Sequence, residues 1–121
     1  MDETGYDIDY VRLKNGKYPF IKFLDSLNIE ERSDVLASIE ELRYRLNNNL
    51  KISNKLSKYL KNGVFELRVL HKSKTSRSLY FFQKNKKIVF TNGFVKKTNS
   101  TPVEELKKAF LLKKIYIQNV Q

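Results

Sequence analysis

Three runs of β-forming residues, Val64 to Leu70, Arg77 to Gln83 and Lys87 to Phe94, follow one another with only short polar breaks between them. Strands joined by so few residues pair antiparallel, because a parallel neighbour needs a crossover of about a dozen residues or more. The Lys84-Asn85-Lys86 link is short enough for a hairpin, and His71 to Ser76 makes a longer, basic connection. This half of the chain is therefore read as an antiparallel meander.

What precedes and follows the meander reads, on local grounds, as one strand, three helices and an irregular segment. Tyr6 to Leu13 alternates Tyr6, Ile8 and Tyr10 with Asp7 and Asp9, the period of a half-buried strand. After the turn Lys14-Asn15-Gly16-Lys17, Pro19 opens a helix at the position where its missing N–H is harmless, with Phe20, Phe23, Leu24 and Leu27 at helical spacing. Asn28 and Glu31 form a capping box that starts a second helix, whose apolar stripe is Val35, Leu36, Ile39, Leu42 and Leu46 and whose end is Asn47-Asn48-Asn49. Leu50 to Gly63 reads as an irregular basic segment carrying Lys51, Lys55, Lys58 and Lys61. Thr101, Pro102 and Glu104 repeat the capping-box pattern and open a closing helix, with Leu106, Ala109 and Phe110 inward. The expectation is one α+β domain over residues 1–121, in the order βααβββα, with helices on an antiparallel sheet.

Charge narrows the function. Residues 1–50 hold 7 basic and 10 acidic residues, whereas residues 51–121 hold 17 basic residues and three acidic ones, Glu66, Glu104 and Glu105. Such a split concentrates positive potential on one face and favours capture of a polyanion, nucleic acid foremost; a lysine-rich solubility surface is the plainer alternative. With no cysteine there is no disulfide framework and no thiolate metal site, and the acidic start Met1–Gly5 and the lack of a long apolar run predict neither a secretion signal nor a membrane span. A cytoplasmic protein without membrane association is expected. One histidine and scattered glycines, at positions 5, 16, 63 and 93, leave no metal-ligand set, phosphate loop or nucleophilic triad, so no metal or cofactor is expected.

Chemistry that mainly demands positive charge around a phosphodiester remains open. When a ribose 2′-hydroxyl attacks the adjacent phosphorus, charge grows on the phosphoryl and leaving oxygens, and fixed Arg and Lys groups stabilise both. Alternation from Val64 to Lys72 sets Phe65, Leu67, Val69 and His71 on one face and Glu66, Arg68, Leu70 and Lys72 on the other. Arg68 is then either a working charge or the ion-pair partner of Glu66 or an acidic helix residue. Arg77, read at the start of its strand, is either a working charge or an edge charge. His71, beside Lys72 and Lys74, is a candidate base or an ordinary strand-end side chain. Lys96 and Lys97 form a phosphate clamp or a solvated loop, and spacing alone does not choose. The aromatics Tyr80, Phe81, Phe82, Phe90 and Phe94 are suited to stacking bases or to filling a core, and most are expected inside.

Taken in order, Phe65-Glu66-Leu67-Arg68, Arg77-Ser78-Leu79-Tyr80-Phe81, Gly93-Phe94-Val95-Lys96-Lys97-Thr98 and Thr101-Pro102 before a helix resemble the HigB-like toxins of the RelE/ParE superfamily, often labelled phage-derived Gp49-like proteins. Pro19-Phe20 and Phe23-Leu24 sit where that family has its first helix, and the likeness runs from Tyr6 to about Phe110. The resemblance implies a RelE-like fold and a toxin that enters the ribosomal A site and cleaves mRNA without a metal. It also implies a HigA-like helix-turn-helix antitoxin, whose DNA-binding half is expected to tether the complex to operator DNA, two such units giving a toxin2–antitoxin2 assembly. By motif, the resemblance carries over to Arg68, Arg77, Lys96 and Lys97, for RNA phosphate binding and transition-state charge stabilisation, with Arg68, Arg77 and Lys96 catalytic; the basic residues Lys55, Lys58, Lys72 and Lys74, with Lys97, are expected as RNA contacts. Where many relatives have His before Gly-Phe, this chain has Asn92, which leaves His71 or a lysine to move the proton. The rival readings are a ParE-like gyrase inhibitor on the same fold and a nucleic-acid-binding module without catalysis.

Overall fold

The computed structural model describes residues 5–97 and 100–120, and its helices begin close to their local start signals. A first strand β1 (Asp7–Tyr10) leads to α1 (Pro19–Asp25), which has Pro19 in its first turn. The next helix, α2 (Ile29–Asn47), carries the full capping box: Glu31 N–H donates to Asn28 Oδ1 at 2.8 Å, and Asn28 N–H donates to Glu31 Oε1 at 3.2 Å. Val35, Ile39 and Leu42 are buried as the stripe requires, but Leu36 is exposed. The closing helix α3 (Val103–Asn119) starts where expected without the expected cap, because the Thr101 hydroxyl is engaged elsewhere.

Four strands, not three, follow α2: β2 (Ser57–Lys61), β3 (Val64–His71), β4 (Lys74–Gln83) and β5 (Lys87–Val95). The segment read as irregular thus contains a strand. Its missed signal is Asn62-Gly63, a two-residue link with φ of 52° and 79°, the left-handed pair that a tight hairpin between right-twisted strands selects. The β3–β4 link is also tighter than expected, Lys72-Ser73, with Lys72 at φ 55°.

The strand order is β1-β5-β4-β3-β2, antiparallel except for β1, which pairs parallel with β5 from Asp7 opposite Lys87 to Tyr10 opposite Phe90. The sheet is therefore mixed rather than wholly antiparallel. On one face α1 and α2 bring Phe20, Phe23, Leu24, Val35, Ile39 and Leu42 onto Leu67, Val69, Tyr80, Ile88 and Phe90. On the other, Ala109, Leu112 and Tyr116 of α3 cover Val64, Leu79, Phe81 and Val89. Helices on both faces explain why Leu79, Tyr80 and Phe81 are all buried in the central strand. A side chain at position 93 would lie 2.3 Å from Phe23, so Gly93 is what lets α1 settle against β5. The architecture is α+β, consistent with the RelE-like fold, and no helix among the described residues is long and apolar enough to cross a membrane.

Candidate functional site

The face parity read from β3 holds. Phe65, Leu67 and Val69 join the cluster under α1 and α2, while Glu66 and Arg68 project toward the α3 side. Cross-strand register sets Arg68 opposite Arg77 of β4 and Arg77 opposite Phe94 of β5. Two guanidinium groups side by side repel each other, and here a buried carboxylate sits between them. Glu66 Oε1 lies 3.1 Å from Arg68 Nε and 3.0 Å from Arg77 Nε, and its other oxygen accepts a hydrogen bond from the Thr101 hydroxyl. The Arg77 contact is off line for an N–H···O bond, so it is an ion pair whose N–H is left unsatisfied.

The two arginines do different work because they differ in burial. Arg77, only 7% exposed in its side chain, lies inside the central strand and also donates from Nη1 to its neighbour's carbonyl, Ser76 O, at 3.1 Å. It is neither at a strand start nor an edge charge, as the sequence reading allowed. Desolvation, countered by Glu66 and reinforced by Arg68, pulls its pKa below the ordinary arginine value. Arg68 is 29% exposed and is held by Glu66 and by the Asn54 carbonyl at 3.0 Å, so its guanidinium is both oriented and open to a ligand.

Lys58, Glu66, Arg68, Lys96, Thr101 and Leu106 line a groove of about 390 Å³ beneath the start of α3. Half-buried Lys96 has its pKa lowered, first by burial and then by Arg77, with Glu66 opposing and Arg68 and Lys58 adding to the fall. The site is four mutually repelling cations around one carboxylate, an arrangement whose remaining need is negative charge. That carboxylate is already engaged by two arginines and a hydroxyl. Among the described residues no three His, Cys, Asp or Glu side chains gather as metal ligands.

Of the residues proposed from sequence, Arg68, Arg77, Lys96 and Lys58 come together here. Lys55 is exposed in the turn before β2, one residue past the Asn54 carbonyl that holds Arg68. Lys97 is exposed one residue beyond Lys96, and Thr98 of the motif lies outside the described residues. His71, Lys72 and Lys74 do not join the group. His71 faces α2, where Nδ1 hydrogen-bonds Asp34 and Nε2 lies 3.9 Å from Glu30. Lys72 and Lys74 lie 4.0 Å from Glu30 and 3.4 Å from Glu31. The charged neighbours of His71 are thus carboxylates as well as the lysines adjacent in sequence, and its position against α2 keeps it out of the groove that holds Arg68. Lys72 and Lys74 are occupied by the acidic first turn of α2.

Asn92 is also accounted for. Ser78 pairs with Gly93 and Tyr80 with Phe90, so Thr91 and Asn92 together oppose Leu79 in a bulge. Asn92 is buried there, and its Nδ2 donates to the Glu105 carbonyl at 3.2 Å and to Glu105 Oε1 at 3.0 Å, tying β5 to α3. Sequence reasoning missed Thr101 as a ligand of Glu66. Its signal was the Thr-Pro pair, read only as a helix cap.

Residues 22–114, from within α1 to within α3, match the family model described as phage-derived protein Gp49-like. No curated protein matches the chain.

Proposed function

Because this chain belongs to the phage-derived Gp49-like family, a toxin-type family of RelE- and HigB-like proteins, we propose that it is the toxin of a type II toxin–antitoxin pair and cleaves ribosome-bound mRNA. The observation that carries the reading is the cation cluster held around Glu66. In it Arg68 and Lys96 present charge to the groove, and Lys58 extends that charge along β2. When the 2′-hydroxyl attacks its neighbouring phosphorus, its proton passes to solvent water as the P–O2′ bond forms and the P–O5′ bond breaks, and Arg68 stabilises the charge growing on the phosphoryl oxygens. Arg77, behind it, fixes Glu66 and through it Arg68. Lys96, with its lowered pKa, gives a proton to the departing 5′-oxygen. No step calls for a metal or cofactor.

The partner is a HigA-like helix-turn-helix antitoxin that masks the basic groove or blocks ribosome entry, using acidic side chains along part of the contact. The complex is toxin2–antitoxin2 on a palindromic operator, and the toxin acts in the cytoplasm at the ribosomal A site. Affinity that falls as salt rises, together with the mass of the purified complex, tests the partner; a flat salt response or a persistent one-to-one complex refutes those details. The activity is tested by mapping cleavage of ribosome-bound mRNA beside gyrase supercoiling, with a chelator arm in which ribosomes are shown intact. Cuts that appear with wild type and not with Arg68→Ala establish it. Gyrase inhibition without cuts establishes the ParE-like alternative.

A further inference from the structure

The face of the sheet opposite the groove carries a feature that the cleavage reading does not use. Tyr59 and Phe65 meet edge to face at 5.1 Å, Phe65 and Phe82 at 5.2 Å, and Phe82 and Tyr6 at 6.1 Å, a chain of rings that runs from β2 across β3 and β4 to the residue before β1. Buried aromatics are expected in a sheet this well covered, and Tyr80, Phe81 and Phe90 fit that expectation. These four do not. Tyr59 is 53% exposed, Phe82 is 38% exposed, and Tyr6 and Phe65 are half-buried. The Tyr59 hydroxyl accepts the Gly63 N–H at 3.1 Å, which fixes the ring at the β2–β3 turn.

The topology puts lysines around these rings. The β2–β3 turn, the β4–β5 turn and the start of β1 lie at the same end of the sheet, which gathers Lys61, Lys84, Lys86 and Lys87. Lys86 Nζ sits 5.6 Å from the Tyr6 ring centre. Asp7, at the start of β1, is 3.8 Å from Arg43. Exposed rings with a cationic rim match a single-stranded polynucleotide, whose bases stack and whose phosphates need countercharge. A purely apolar partner would leave the charge of Lys61 and Lys84 at its border without a counter-ion. Lys58 lines the groove while the next residue, Tyr59, lies on the opposite face of the edge strand. A chain that crosses the β2 edge therefore passes from one to the other.

We infer that the strip Tyr59, Phe65, Phe82 and Tyr6 is a second contact for single-stranded RNA, stacking bases that flank the phosphodiester held at Arg68; the inference rests on the RNA-cleaving reading. The test uses the intact protein and a short oligouridylate carrying 4-thiouridine, with photo-adducts mapped by mass spectrometry and affinity measured for Tyr59→Leu and Phe82→Leu. Adducts at Tyr59 or Phe82 are expected, with binding weakened about five- to tenfold for each ring replaced and retained in Tyr59→Phe. Tyr59 is exposed, so its leucine variant keeps the fold, checked by thermal unfolding, even if Phe82→Leu does not. Adducts confined to the groove overturn the strip, as do a Tyr59→Leu protein that binds like wild type or binding of oligothymidylate alone. Leucine variants that lose a protein partner and keep RNA overturn it too. Strip adducts without mRNA cleavage would leave the strip standing and remove the nuclease reading, whereas cleavage without strip adducts would do the reverse.

Discussion

Replacing Glu66 by Gln tests whether the carboxylate organises the site. The change preserves shape and one acceptor but removes the charge that lies 3.1 Å from Arg68 and 3.0 Å from Arg77, at a side chain only 3% exposed. Removing one partner of a buried ion pair destabilises by roughly 3–5 kcal/mol, because the other charge stays buried without compensation. Arg77 is in that position, whereas Arg68 reaches water, so the lower end, about 3 kcal/mol, is expected. For a chain of this size that lowers Tm by roughly 10 °C. Thermal unfolding followed by circular dichroism measures it. Adding Arg77→Met to Glu66→Gln should cause less further loss than Arg77→Met causes in the wild-type protein, with coupling above about 1 kcal/mol. RNA affinity should hold or rise in Glu66→Gln, since a negative charge has gone, while cleavage falls because Arg68 is no longer oriented. A Tm within about 2 °C of wild type, or additive effects in the cycle, would show that the carboxylate does not hold the arginines together.

Arg68→Ala is expected to abolish growth arrest with little loss of stability, and Arg68→Lys to restore only part of it, because an ammonium does not reproduce a two-pronged phosphate contact; a toxic, well-folded Arg68→Ala protein would refute the role. Arg77→Ala should lose both activity and stability, and the sign to look for is reduced soluble yield alongside lost toxicity. Since Lys96 sheds its proton at lower pH than a free lysine, cleavage and RNA affinity should begin to decline as pH rises before ordinary lysines titrate, and Lys96→Arg should flatten that decline in affinity. Burial pushes the Tyr80 phenol up to about 12, partly countered by its 2.6 Å hydrogen bond with Ser57. The unfolded chain therefore releases this proton near pH 10 while the folded chain keeps it, and stability should fall between about pH 10 and 12. Tyr80→Phe should reduce that alkaline loss, at a cost of about 1–2 kcal/mol for the orphaned Ser57 hydroxyl, read by unfolding at neutral and alkaline pH.

Features encoded over a few neighbouring residues were legible in the sequence. Pro19 in the first turn of α1, the Asn28–Glu31 box and the alternation that turns Glu66 and Arg68 away from Leu67 and Val69 follow from backbone geometry repeated every two or 3.6 residues. The strand β2 was legible as well, through Asn62-Gly63, and went unread. Tertiary structure alone decided what lies beside each side chain. The order β1-β5-β4-β3-β2 makes β4 central, so that Arg77 is buried rather than a charged edge, and α2 brings Asp34 and Glu30 to His71 and the lysines after it. Packing of α3 across the sheet takes the Thr101 hydroxyl from the expected cap to Glu66 and Asn92 to Glu105. An isolated charge pattern does not specify such pairings. They join residues far apart in the chain, Glu30 to Lys72 for example, and whether an arginine meets water, a carboxylate or another arginine depends on strand order and on which helix covers which face.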